Sequence, residues 1–270
     1  MYVFTLVFVM GPLVYMLLLS FMSRSGGWGV EARFTTANYQ RILESVYMTT
    51  FWESLKLSII TTSLVALIGY PFGYFMARLD PVWRGRVMLL LIIPFWTNSI
   101  MRLYAWIIIL RANGVLDSII SFLKITEQPL KILYTFPAVV IGMVYVLLPF
   151  MIYAVFASAE KLDWSLVEAA KDLGASPAKA FLTVSLPLTA PGLFSGVILT
   201  FIPAMGLYFI ADILGGNKVV LVGNLIREQL MRAHDWPFAA ALSVILMAVT
   251  TLFLYMYRRM TRSDKLEGLV

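Results

Sequence analysis

Two ionisable side chains fall inside long apolar runs. Asp212 sits in PAMGLYFIADILGG, and Arg102 in PFWTNSIMRLYAW. A charge at membrane depth is costly and marks a functional position by default. An aspartate there can serve as counter-ion to a cationic solute. Trp96, Asn98, Tyr104 and Tyr208 occupy the same two runs, and an aromatic face attracts an ammonium group by about 0.5–2 kcal/mol. The sequence is also compatible with Asp212 paired to Arg102 as a structural salt bridge, or with Asp212 at the water interface. Trp and Tyr near span ends are also ordinary interfacial residues. Hydrolytic chemistry has no comparable foothold. The chain contains no G-x-x-x-x-G-K-[ST], no G-x-S-x-G and no carboxylate dyad in a span. Its single histidine, His234, excludes a multi-histidine metal cluster, and the lack of cysteine excludes disulfides and thiolate sites. No cofactor is expected in this chain.

A second group of residues forms a polar stretch between two apolar runs, EAAKDLGASPAKAFLTVSLP from Glu168 to Pro187. Ser165 followed by Glu168 reads as a capping box. Leu166, Val167, Ala169, Ala170 and Leu173 give that helix an apolar face, and Gly174 supplies a left-handed C-cap. Ser176 and Pro177 start a second short helix, carried by Lys179, Phe181, Leu182 and Val184 and expected to end at Pro187. The expected product is a helix–glycine–helix elbow outside the membrane. Its alanines permit close approach of another surface, and Glu168, Lys171, Asp172 and Lys179 can pair across an interface. It can equally be a hairpin that only covers helix ends.

These residues need a scaffold, and composition says what kind. Of 270 residues, 60% are apolar and only 13% charged, where a soluble domain carries about a quarter. The net charge of +6 reads as loop charge facing lipid headgroups rather than a nucleic-acid surface. Spans of roughly 20 residues are predicted at Tyr2–Phe21 (kinked at Gly11-Pro12), Leu55–Ala77, Val87–Leu110, Phe136–Ala157, Pro191–Leu214 and Phe238–Tyr257. The first lacks the basic flank and cleavage site of a signal peptide and reads as a retained span, with an upstream stretch missing or an unusually short N-terminus. Gly69 and Gly73, four apart, permit close helix packing. Pro94 and the polar residues after it predict a broken helix. Asn113-Gly114 and Gln128-Pro129 are turn signals, and a short helix is expected around Asn224–Arg232. The fold expected is an all-α membrane protein of six transmembrane helices, one domain over 1–270. Lys and Arg divide almost evenly between the two sets of loops, so charge alone hardly orients it.

The elbow resembles the E-A-A loop of ABC-importer permeases. Glu168, Ala169, Ala170, Gly174, Val184, Leu186 and Pro187 occupy the positions of that motif, with valine for the commoner isoleucine. Phe34 to Tyr39 is similar to the short amphipathic entry before the second span of such permeases. Pro94–Trp106, Val140–Asp163, Pro203–Gly216 and Asp235–Ser243 resemble the permease subunits of spermidine/putrescine importers. The resemblance implies a type I importer architecture, with the loop at about 158–189 as a cytoplasmic coupling elbow in which Glu168, Ala169, Ala170, Asp172 and Gly174 meet an ATPase. It implies a second related permease as heterodimer partner, two ATPase subunits that bind ATP and Mg, a soluble substrate-binding protein, membrane lipid around the chain, and no nucleic acid. It places the chain in the bacterial inner membrane with both termini cytoplasmic, working by alternating access. The same architecture also serves iron chelates, sulfate or opines. A membrane enzyme and an ATP-independent channel are the readings from other classes.

Overall fold

The structure, a computed structural model, describes residues 4, 6–26, 29–123, 131–216 and 218–267. The expected turn at Gln128-Pro129, Asn217, and the first residues of the predicted opening span lie outside the described residues. Among those described, five helices are long and apolar enough to cross a membrane: Ser45–Met76, Ser99–Phe122, Phe136–Ala159, Pro177–Gly206 and Trp236–Met256. A shorter apolar helix covers Val7–Ser20. Large apolar side chains such as Leu67 and Leu199 are exposed along these helices, as suits a lipid-facing surface. The chain forms two compact units, residues 1–54 with 220–270, and residues 55–219.

In the first unit a π turn, Leu6–Met10, leads into α1, Gly11–Ser20. The irregular turn sits directly before Gly11-Pro12, where the missing proline donor disturbs the helical ladder. The polar run that follows is not helical, contrary to the all-α expectation. Strands β1, Met22–Arg24, and β2, Val30–Phe34, pair antiparallel. Gly26 and Gly29 between the strands are the hairpin signal, joined to the β-favouring ends of Val30–Phe34. Helix α2, Ala37–Ile42, follows at the expected amphipathic entry. Residues 45–54 of α3, Ser45–Met76, belong to this unit, with α12, Val222–Met231, and α13, Trp236–Glu267. Ile42, Leu225, Phe238, Ala241 and Leu242 form its core. Ser54 Oγ accepts from the Val222 amide at 2.9 Å, which satisfies a helix-start donor.

The second unit is built around α7, Phe136–Ala159. Helix α10, Leu186–Gly206, lies along it. Both flanking helices meet α7 through glycines four apart. A Cβ at Gly73 would come within 2.7 Å of the Ile152 carbonyl, and one at Gly69 within 2.8 Å of the Met151 side chain. Gly192 and Gly196 do the same from α10. Without side chains at these points the backbones close up and gain dispersion contacts, the main attraction available in lipid.

The predicted third span is divided. Helix α4, Pro81–Ile92, gives way to a 3-10 turn at Ile93–Trp96, and α5, Ser99–Leu110, begins anew. Pro94 removes a donor, and Asn98 supplies a fresh N-cap, its Oδ1 accepting from Ile100 N at 2.8 Å. After Asn113 (φ 58) and Gly114 the expected loop is instead helix α6, Val115–Phe122. The predicted fifth span is likewise split, α10 stopping at Gly206 and α11 running Tyr208–Gly215. Gly216, at φ 54, closes α11 in the left-handed conformation.

Candidate functional site

The elbow lies wholly in the second unit. Helix α8, Trp164–Asp172, is capped by Asp163, whose Oδ1 accepts from Ser165 N at 3.0 Å. That corrects the expected cap at Ser165. The helix begins earlier because Trp164 is drawn onto Tyr74, ring centroids 5.5 Å apart, which leaves Ser165 inside the first turn. The two bonds from Ser165 hold the Asp163 carboxyl below its ordinary pKa. Gly174, at φ 90, takes the left-handed conformation. Its amide donates to Lys171 O at 2.8 Å and the Ala175 amide donates to Ala170 O at 3.0 Å, the paired bonds of a Schellman ending.

Ser176 Oγ accepts from Lys179 N at 3.3 Å and opens α9, Pro177–Ala180. Pro187 does not end this second helix. A π turn over Phe181–Ser185 widens the ladder, the Leu186 amide bonding back to Phe181 O, so Pro187 enters as the start of α10. A proline at the first turn breaks no bond that would otherwise form.

The underside of the elbow is locked. Val167 is buried against Leu162 and Ala180, with Ala170, Ala175 and Val184 around it. Tyr74 stands edge-on to Trp164 and to Phe181, and the Arg78 guanidinium lies 4.6 Å from the Trp164 ring. Tyr74 OH donates to Ser185 Oγ at 2.8 Å, and Tyr70 OH pairs with Thr189 Oγ1 at 2.7 Å. Arg84 and Glu160 meet at 3.0 Å. The outer side is bare: Glu168, Ala169, Lys171, Asp172 and Gly174 are exposed, and Leu173 is 89% exposed. The elbow is thus an undercut knob whose outer face carries small and charged residues.

Tyr70, Tyr74 and Arg78 were not singled out from the sequence. The signal was there: two tyrosines four apart and two hydroxyls, Ser185 and Thr189, four apart. Buried tyrosine hydroxyls need partners, and matched spacing on two helices provides them.

The intramembrane residues fall in the same unit around the two helix breaks. Trp96 and Tyr104 are exposed, Trp96 at 79%, and Tyr208 stands edge-on to Phe209 at 6.4 Å. Asn98 spends its oxygen on the α5 cap. Arg102 donates to Ser99 Oγ at 3.1 Å, and its guanidinium lies over Phe95 and Tyr145 at 5.2 and 5.7 Å. Its Nε is buried without a hydrogen-bond partner among the described residues. Asp212 is half-buried on α11, which packs against α5 and α7. Gly142 of α7 makes room at that junction for Leu214, Ile210 and Leu103. No cluster of metal-ligating side chains occurs among the described residues.

Residues 69–263, which include the elbow and both helix breaks, match the family described as binding-protein-dependent transport system inner membrane component. The chain is 42% identical over 255 residues to the spermidine/putrescine transport system permease protein PotB of Escherichia coli (strain K12), covering 94% of this chain and 93% of that one. In fold it is similar to a chain of the bacterial alginate ABC transporter solved with its alginate pentasaccharide-bound periplasmic protein (TM-score 0.76, 13% identity, 97% of this chain and 91% of that one). It is similar also to a chain of the MetNI methionine ABC transporter in an inward-facing conformation (TM-score 0.60, 18% identity, 82% and 99% covered). This multi-pass membrane protein belongs to the family of binding-protein-dependent transport system inner membrane components, the permease subunits of ABC importers.

Proposed function

We propose that the chain carries polyamines of the spermidine/putrescine type across the bacterial inner membrane, as one permease subunit of an ATP-driven importer. The observation that carries this is the 42% identity over 94% of the chain to a spermidine/putrescine permease. In this reading residues 1–270 act as one permease domain, the apolar helix near the N-terminus is a sixth span, and both termini are cytoplasmic. ATP and Mg belong to two partner ATPase subunits. Glu168, Ala169, Ala170, Asp172 and Gly174, all at or near the surface of the elbow, meet those partners from the cytoplasmic side. A second related permease completes the pathway, and a soluble binding protein delivers the solute from outside. The locked underside supports a lever: because Tyr74 and Tyr70 tie α3 to the π turn and α10, a push on α8 moves packed helices as a body. Asp212 is the counter-ion for the cationic solute, with Trp96, Asn98, Tyr104 and Tyr208 along its path.

The test is uptake of labelled spermidine by cells carrying the complete transporter, competed with putrescine. Wild type imports and putrescine competes. Asp212→Asn lowers uptake about tenfold, as loss of one charge-assisted contact would. Gly174→Pro leaves the protein in the membrane and the partners' ATP hydrolysis running while uptake stops, because proline cannot adopt φ 90. Uptake insensitive to putrescine, or normal uptake by Gly174→Pro, would overturn the reading.

A further inference from the structure

The second unit carries an apolar cleft of about 530 Å³ along α3 and α4. Ile68, Phe72 and Phe75 line it from α3, at the three- and four-residue spacing of one helix face, Leu79 lines it from the turn that follows, and Val87 from α4. Phe75 is 65% exposed in the wall. The cleft runs as far as the short turn between the two helices, where Leu79 lines it. There the chemistry changes. Trp83 stands one turn before Val87 on the same face of α4, and the exposed Arg86 guanidinium lies 4.9 Å from the centre of its ring. The other cations of the turn have different duties, Arg84 with Glu160 and Arg78 over Trp164.

An apolar cleft that ends at a turn bearing a cation held on a tryptophan has the layout of a phospholipid, acyl chain in the cleft and phosphate at the turn. Tryptophan favours the headgroup level of a bilayer, and arginine gathers phosphate oxygens in a planar fork. A cation at that end selects the headgroup charge, as basic pockets between spans do. We propose that the α3–α4 cleft binds one anionic phospholipid, its chain against Phe72 and Phe75 and its phosphate on Arg86. None of its residues is among those assigned to solute or ATPase, and it stands whether or not polyamine is the cargo.

The test is native mass spectrometry of the full-length protein in detergent with equimolar phosphatidylglycerol and phosphatidylcholine. Wild type retains phosphatidylglycerol at least fivefold over phosphatidylcholine. Arg86→Glu brings that ratio to about one, and Arg86→Lys keeps part of it, which separates charge from folding. Equal retention of the two lipids by wild type, or an unchanged ratio in Arg86→Glu, would overturn the proposal. A photoreactive p-benzoylphenylalanine at position 75 gives a second reading in native membranes. Labelling of phospholipid supports the site, and a crosslink to a polypeptide shows that a protein helix fills the cleft instead.

Discussion

Arg41 in the first unit and Arg102 in the second are both withdrawn from water in part, and their surroundings differ. Arg41 uses its whole fork. Nε and Nη2 donate to Tyr47 OH at 3.2 and 3.0 Å, Nη1 donates to Asp235 Oδ2 at 2.9 Å, and the guanidinium lies 4.0 Å from the Phe238 ring centre. Asp235, 4% exposed, accepts from Phe238 N with its other oxygen at 3.2 Å. Arg102 has one hydrogen bond, two aromatic faces and an orphaned Nε. A part-buried pair in which all three guanidinium nitrogens and both carboxylate oxygens are engaged resists change, because removing either partner strands the other. A partly buried cation left short of partners contributes little to stability. One arginine joins α2 to the start of α13. The other sits beside a helix break among the candidate pathway residues.

The largest effect should come from breaking the satisfied pair. Asp235→Ala removes the partner of Arg41 and the cap of α13, and should cost about 2–3 kcal/mol, discounted because the guanidinium is partly exposed. Thermal unfolding in detergent reads this directly. Asp235→Asn keeps the cap oxygen and should recover about half. Equal, near-zero losses for both would mean that the pair is ornamental and the contrast with Arg102 is false.

Much of the elbow could be read in the sequence because its determinants are local. Gly174, Ser176 and Pro177 each act on the backbone within a few residues, and the structure places them as a left-handed ending, a cap and a first-turn proline. Gly69 and Gly73 were legible for the same reason, through a spacing of four. What escaped was whatever depended on distant partners or on competition between local signals. Arg41 and Asp235 are 194 positions apart, and nothing near either names the other. Asp163 out-competed Ser165 as a cap once Trp164 found Tyr74, a residue of another helix. The hairpin at residues 22–34 was hidden by polarity, since a short exposed ribbon lacks the apolar alternation of a half-buried strand. Asn98 reads as a pathway residue in the sequence, and its oxygen is held by the Ile100 amide as a helix cap.

A double-mutant cycle sharpens the other half of the contrast. Arg102→Met removes the orphaned donor along with the charge while keeping side-chain bulk, and its stability should change by no more than about 1 kcal/mol, well below Asp235→Ala. Combined with Asp212→Asn, the two changes should add within about 0.5 kcal/mol, because the contacts of Arg102 run to Ser99, Phe95 and Tyr145. A coupling above about 1 kcal/mol would restore the salt-bridge reading and take Asp212 away from the solute.

The smallest effect concerns Asp163, a carboxylate outside the spans whose titration is displaced. Asp163 is stabilised in its charged form by the Ser165 bonds, and its pKa is lowered relative to the unfolded chain. A lowered carboxylate contributes stability that is complete above the unfolded pKa and is lost as pH falls through the folded one. The start of α8 should therefore keep its amide protection from neutral pH down to the ordinary aspartate range and lose it only below that. Hydrogen exchange at Ser165 and Leu166, against Asp163→Asn as a pH-independent reference, reads the change. Loss of protection already near neutrality would assign the helix start to some group other than Asp163, and with it the reason α8 begins at Trp164.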